Sequence, residues 1–256
     1  MLRSGVPLMR RRTGSAITAA AGLVAVAIVA FANLAQDATV VERPTLAPAA
    51  TAEAPGEVAP ESPAPSAPIS TEAGHALAQL EQLTITEPSS TTKYVRDYFG
   101  QKWADVDRNG CDTRNDILAR DLTDLTFKPG TRDCVVLSGV LYDRYTDETI
   151  QFVRVSEGYQ PVQIDHVIPL SVAWASGSES WTLDKREQFA NDPLNLQTTT
   201  ANQQKGDSTP SRWMPESATA ACEYSARYVT VLDAYDLTVT ADDAAALRAT
   251  LTSCSA

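Results

Sequence analysis

Apolar positions fall into three regimes along the chain. Thr13 to Gln36 carries no charged side chain and centres on the apolar run AAAGLVAVAIVAFA. Asp37 to His75 is built of Pro, Ala, Glu, Ser and Thr with few large apolar residues and no aromatic one. From Ala76 onward the apolar positions become periodic. HALAQLEQLTI places Leu77, Leu80 and Leu83 at helical spacing, and YVRDYFGQKW is a second helix-like piece. DRNG reads as a turn, and a helix is expected from Thr113 to Leu122 with Asp112 as its N-cap. CVVLSGVLYD and ETIQFVRV read as a β-hairpin joined across RYTD. QIDHVIPLS (163–171) reads as a core strand ended by Pro169, and LNLQTTT as a second β-prone stretch. LSVAWASG and TLDKREQFAN are short helices in the long connection between them. ANQQKGD begins a helical turn that Gly206 stops. ATAACEYSARYVTVLDAY and TADDAAALRATLTSC read as the last two helices, the latter with Thr240 as N-cap and Asp243 three residues on. The expected fold class is α+β, with one domain over 76–256 that is large enough for its own core.

The first two regimes change the compartment expected for that domain. Arg3, Arg10, Arg11 and Arg12 precede the apolar run, and Ala30 and Ala32 follow its centre. A basic head, an apolar heart and small residues read as a secretory signal peptide over 1–32. The run is also near the length that spans a bilayer, so an uncleaved signal anchor is the alternative, and membrane contact is expected only in that case. Residues 33–75 read as a disordered, semi-extended tether. Either way the domain works outside the cytoplasm, secreted or anchored at the outer face. Four cysteines, Cys111, Cys134, Cys222 and Cys254, form no C-x-x-C pair, which disfavours a zinc hook. In an exported chain they suggest two disulfides with three possible pairings. Sequence-neighbour pairing, Cys111–Cys134 and Cys222–Cys254, is favoured.

The formal charge is −11, and loss of residues 1–32 with their four arginines would take it to −15. An acidic chain is repelled by nucleic acid at long range. A nucleic-acid substrate therefore requires a local basic site.

The candidate chemistry lies between 163 and 207. Asp165 and His166 sit inside an apolar run, where an unsatisfied carboxylate and imidazole are costly. Asn191, Asp192, Asn195, Asn202 and Asp207 follow. Such oxygens suit a hard cation, Mg²⁺ first and Mn²⁺ or Ca²⁺ as alternatives. One carboxylate with one amide makes a water-rich site that a phosphate could complete. The histidine beside it is a candidate general base, and Lys205 and Arg212 are candidate phosphate ligands. Asn191-Asp192-Pro193 taken alone reads better as a turn. The chain has two histidines; His75, in the tether, is given no role. This inventory excludes a multi-histidine zinc protease, and the absence of G-x-S-x-G excludes a nucleophile-elbow hydrolase.

DHVIPLS, then NLQ, then NQQKGD resembles the HNH, or ββα-metal, endonuclease motif. GCDTRNDIL, FANDPLNL and the terminal Cys extend the likeness to exported members over about 95–256. The resemblance implies a ββα-metal element embedded in a mixed helical and β-hairpin domain. It implies Asp165 and Asn202 as metal ligands, His166 as general base, and Asn195 as a brace for the loop and the base. Asn195 precedes Asn202 by seven residues, less than the familiar interval, so the second strand or its turn must be short. The implied activity is metal-dependent hydrolysis of DNA phosphodiesters, with little sequence specificity because no DNA-reading module is present. Two alternatives stand beside it: an inactive envelope-associated binding protein of the same fold, and a phosphodiesterase for RNA or small phosphoesters. No stable protein partner is expected. Arg108, Asp112 and Arg114 read as parts of a tight turn.

Overall fold

The structure, a computed structural model, describes residues 68–255. The signal segment and most of the tether lie outside them. Helix α1 spans Ile69–Leu80, so a helix is already formed ahead of Ala76, and His75 belongs to it. The Leu77/Leu80/Leu83 face is apolar as expected. Ala73 and Ala76 continue it backwards into the core, a small-residue signal that the Pro- and Ala-rich composition upstream conceals.

α2 runs Thr113–Asp121, and Asp112 caps it by accepting from Asn115 N at 2.9 Å. A strand the sequence did not announce follows at once. β1 (Leu122–Phe127) pairs antiparallel with β2 (Val136–Asp143), which pairs with β3 (Glu148–Val153). Asp124 takes a positive φ of 50°, and the β1–β2 register shifts there. That irregularity breaks the alternation by which a strand is recognised. Leu118, Leu122, Val136, Leu141 and Phe152 form a small core under this sheet.

β4 (Gln163–His166) and β5 (Leu196–Thr199) form a separate two-stranded antiparallel sheet, with Asp165 opposite Gln197 and His166 opposite Leu196. α3 (Leu170–Ala175) and α4 (Leu183–Ala190) lie in the connection between them. α5 (Asn202–Lys205) follows β5, which completes a ββα element. The four-residue β5 accommodates the short Asn195–Asn202 interval. α6 (Ala218–Ala234) and α7 (Ala241–Cys254) pack with α1 around Tyr224, Tyr228, Leu80, Leu247 and Leu251, the main core. Thr240 caps α7 through Asp243 N at 3.1 Å. The Asp243 carboxylate also accepts from the Ser211 backbone and hydroxyl, so it ties in a loop as well as serving the cap.

The cysteines pair as Cys111–Cys134 and Cys222–Cys254, with Cα–Cα distances of 5.2 and 5.9 Å. The first staples the turn before α2 to the start of the hairpin, and the second fastens the end of α7 to α6. Their sequence separations are 23 and 32 residues. In the chain-entropy model each loop is worth about 3–4 kcal/mol. The double variant Cys222→Ser/Cys254→Ser should therefore lose about that much stability in urea melts. An unchanged midpoint would show that α7 is held by packing alone.

Candidate active site

β4 presents Asp165 to the interior, where it is 4% exposed. Its oxygens lie 2.9 and 3.2 Å from Lys205 Nζ, and Tyr145 OH donates to Oδ2 at 3.2 Å. Lys205 is itself 1% exposed and also donates to the His166 carbonyl at 2.8 Å. Burial raises the Asp165 carboxyl to about 6, with Lys205 and Tyr145 pulling the other way. Burial lowers the Lys205 ammonium, with Asp165 opposing. Both shifts have one meaning: desolvation outweighs the attraction within the pair.

His166 ends the strand and is half-buried. Its Nε2 lies 2.9 Å from the Ala190 carbonyl oxygen. A carbonyl only accepts, so this contact assigns the proton to Nε2 and leaves the Nδ1 lone pair free. Burial, with smaller repulsions from Arg96 and Lys205, lowers the imidazole to about 4. The ring is therefore neutral at pH 7.

Asn195 is fully buried. Its Oδ1 accepts from Ile168 N at 2.8 Å, its Nδ2 donates to Ile168 O at 3.3 Å, and its own carbonyl accepts from Val167 N at 2.8 Å. It clamps the chain that leaves His166 and makes no hydrogen bond to the ring. Asn191 bonds Ala104, Gln101 and Glu187 backbone atoms, and Asp192 caps a 3₁₀ turn at Leu194 N, so that segment is a turn. The DRNGCD stretch is likewise a turn, closed by Asn109 N and Gly110 N donating to the Asp105 carboxylate and by Cys111–Cys134.

Asn202 opens α5, and its Nδ2 donates to Gln163 Oε1 at 2.6 Å. Oδ1 is left without a protein partner. Gln163 and Asp165 share one strand face, so Asn202 and Lys205 both project from α5 onto that face. The free Asn202 Oδ1, with the Asp165 Oδ1 that has only a 3.2 Å contact, fits a hard cation by donor type, and a carboxylate oxygen accepts more than one partner. Lys205 competes there for the same negative charge. Among the described residues no cluster of three His, Cys, Asp or Glu side chains could hold an ion.

Two expectations change. Lys205 is not a phosphate ligand in this arrangement, because its ammonium is buried and committed to Asp165 and the His166 carbonyl. Arg212 is exposed and makes no side-chain hydrogen bond or ion pair to the Asp165–His166–Lys205 group. Tyr145 was not signalled by the sequence; it lies in the hairpin turn, far from the motif. A cavity of about 740 Å³ is lined by His75, Arg144, Tyr145, Leu194 and Arg227 among others, but not by His166.

Along α3 and α4 runs a strap, residues 89–101. Trp174 Nε1 donates to Thr92 O at 3.0 Å, Arg186 Nε to Tyr98 O at 2.7 Å, and Glu187 Oε2 accepts from Gln101 N at 2.6 Å. Gly100 has φ 67°, and a Cβ there would meet Glu187 Oε2 at 2.1 Å, so no other residue closes the strap. At the other end Glu179 accepts from the backbone and hydroxyls of Thr91 and Thr92 at 2.7–2.8 Å. Those bonds, Thr91 first, hold its carboxyl down at about 2. A depressed carboxyl stabilises the fold above its unfolded value, about 4.3. That contribution is lost as pH falls from there towards 2. The protection factors of the Thr91 and Thr92 amides, taken against the intrinsic rate at each pH, should therefore fall first on acidification. Protection that persists unchanged at pH 2 would show that the clamp does not depend on the ionised carboxylate.

The model of the GmrSD restriction endonuclease C-terminal domain matches residues 112–250. An "uncharacterized secreted protein" of Arthroderma benhamiae (strain ATCC MYA-4681 / CBS 112371) is 35% identical over 201 residues, covering 77% of this chain and 93% of that protein. No solved structure matches. The family match spans the ββα element with Asp165, His166, Asn195 and Asn202, and the chain therefore belongs to the HNH-type nuclease family of the GmrSD restriction endonuclease C-terminal domain.

Proposed function

We propose that this protein is an exported, metal-dependent endonuclease that hydrolyses DNA phosphodiester bonds with little sequence specificity. The observation that carries the reading is His166: a neutral imidazole at a strand end, with one nitrogen fixed on Ala190 O and the other free to take a proton. Nδ1 removes a proton from the attacking water as its oxygen bonds to phosphorus, and the ester bond to the 3′ oxygen breaks. Ala190 O holds the ring through Nε2–H throughout and stabilises the imidazolium that forms. Lys205, on the His166 carbonyl, and Asn195, on Val167 and Ile168, keep the backbone around the base fixed. Asp165 keeps Lys205 in place. Asn202 Oδ1, with Asp165 Oδ1 in exchange for its 3.2 Å contact with Lys205, would hold the cation, Mg²⁺ first and Mn²⁺ or Ca²⁺ as substitutes. When bound it would supply positive charge to the phosphate and leaving oxygens.

Export is supported by the two disulfides, by the secreted relative and by the signal-like residues 1–32. No helix among the described residues is long and apolar enough to cross a membrane. Purified protein incubated with plasmid, RNA and a chromogenic phosphodiester, with and without EDTA, tests the reading. Plasmid nicking that EDTA abolishes is the expected result. Cleavage of RNA or the small diester alone would assign a different substrate, and binding without any cleavage would mark an inactive binding protein of this fold.

A further inference from the structure

We infer that Arg96 is the residue that binds the scissile phosphate beside His166, an inference that rests on the nuclease reading above. A phosphate needs a local cation in a chain of net charge −11, and Lys205 is buried and committed to Asp165. Arg96 opens a 3₁₀ turn, Arg96–Phe99, on the strap. Its Nη1 is shielded from solvent and has no hydrogen-bond partner. Arg96 is in none of the four ion pairs among the described residues. Native structures rarely leave a shielded guanidinium donor unused, so an anion that satisfies it is the simplest completion of the site. The strap that carries Arg96 is fastened to Arg186 and Glu187 of α4, and the last residue of that helix, Ala190, holds the His166 ring.

The strap makes this placement rigid. Phe99 is fully buried against Trp174 and Phe189, three residues after Arg96. Glu179 fastens the chain on one side of Arg96, and Arg186 and Glu187 fasten it on the other. With its backbone held this way, the planar guanidinium has a fixed base from which to reach two phosphate oxygens. Arg96 would neutralise charge on the non-bridging oxygens while His166 takes the proton of the attacking water.

The test compares wild type, Arg96→Gln and Arg96→Lys, each shown by circular dichroism to melt as wild type does. Binding of a fluorescent 20-mer duplex in EDTA is followed by anisotropy over a salt series, and kcat/KM is measured on plasmid with Mg²⁺. Arg96→Gln should weaken binding and kcat/KM by about 10- to 100-fold. It should also reduce the slope of log K against log salt by about 1. Arg96→Lys should keep the slope and recover part of the affinity. Inorganic phosphate titrated into wild-type protein should shift the Arg96 Nε–H resonance, a readout that needs no cleavage. If wild type binds DNA and phosphate through Arg96 but cuts nothing, the nuclease reading fails and the anion site stands. If wild type cuts DNA and Arg96→Gln matches it in slope and kcat/KM, the Arg96 inference is overturned. It is overturned as well if wild type binds neither DNA nor phosphate.

Discussion

His166→Ala should slow phosphodiester hydrolysis by about 10²–10⁴, or roughly 3–5 kcal/mol of barrier, the usual worth of a positioned general base. The substitution removes one hydrogen bond, to Ala190 O, from a half-buried position. A water can take over that carbonyl, so the fold should lose no more than about 1–2 kcal/mol. Asn195 makes its hydrogen bonds to Val167 and Ile168 rather than to the ring, so the loop should stay in place. Rate and stability thus separate, which a merely packed histidine would not allow. The pH profile separates them again. A base must be unprotonated, and burial holds His166 at about 4. Wild-type activity should lose its His166 contribution only as pH falls through that value, and the residual activity of the variant should lack that limb. A His166→Ala protein that cuts at nearly the wild-type rate would remove the main support for the endonuclease reading.

The α+β class and the ββα element were legible in the sequence, and so were the residues proposed for the site. Asp165 and His166 stood out because two polar groups interrupt an apolar run, and the N-L and N-x-x-K-G-D residues supplied their neighbours. The disulfide pairing followed from expected export and sequence separation together, and both helix caps followed from local chemistry at Asp112 and Thr240. Three features escaped for physical reasons. β1 is broken by the positive φ at Asp124, so its alternation is blurred. The first turns of α1 read as tether, although Ala73 and Ala76 are buried and the helix packs on α6 and α7. The burial of Lys205 and the position of Arg96 escaped as well, because a sequence shows that a cation is present but not whether tertiary packing buries it. Lys205 lies on the strand-facing side of α5, and Arg96 lies on a strap whose position depends on Glu179 and Glu187, about ninety residues later in the chain. No local pattern around Arg96 carries that information.

The buried ion pair gives the second large effect, this time on stability. Lys205→Met should destabilise the domain by about 3–5 kcal/mol near neutral pH, the usual cost of removing one partner of a buried pair. The Asp165 carboxylate would be left with Tyr145 as its one remaining protein donor, and the His166 carbonyl would lose its contact with Nζ. The loss should depend on pH with a definite sign. Asp165 titrates at about 6 in the native protein and higher still without the ammonium, against about 3.9 when unfolded. The folded variant therefore binds the proton more tightly than the unfolded chain, and its stability should rise as pH falls from 8 towards 5. Adding Asp165→Asn should recover much of the deficit. The amide can still accept from Tyr145, and no charge remains to be desolvated. Burial already outweighs attraction within the wild-type pair, so the neutral double variant can approach wild-type stability. If the double variant is stable yet inactive, the pair is maintained for catalysis, to fix the His166 carbonyl and keep a carboxylate beside Asn202. Urea melts of the single and double variants at pH 5, 7 and 8, with nuclease assays alongside, distinguish these outcomes. A Lys205→Met protein as stable as wild type at pH 8 would show that the ammonium does not compensate Asp165 in solution.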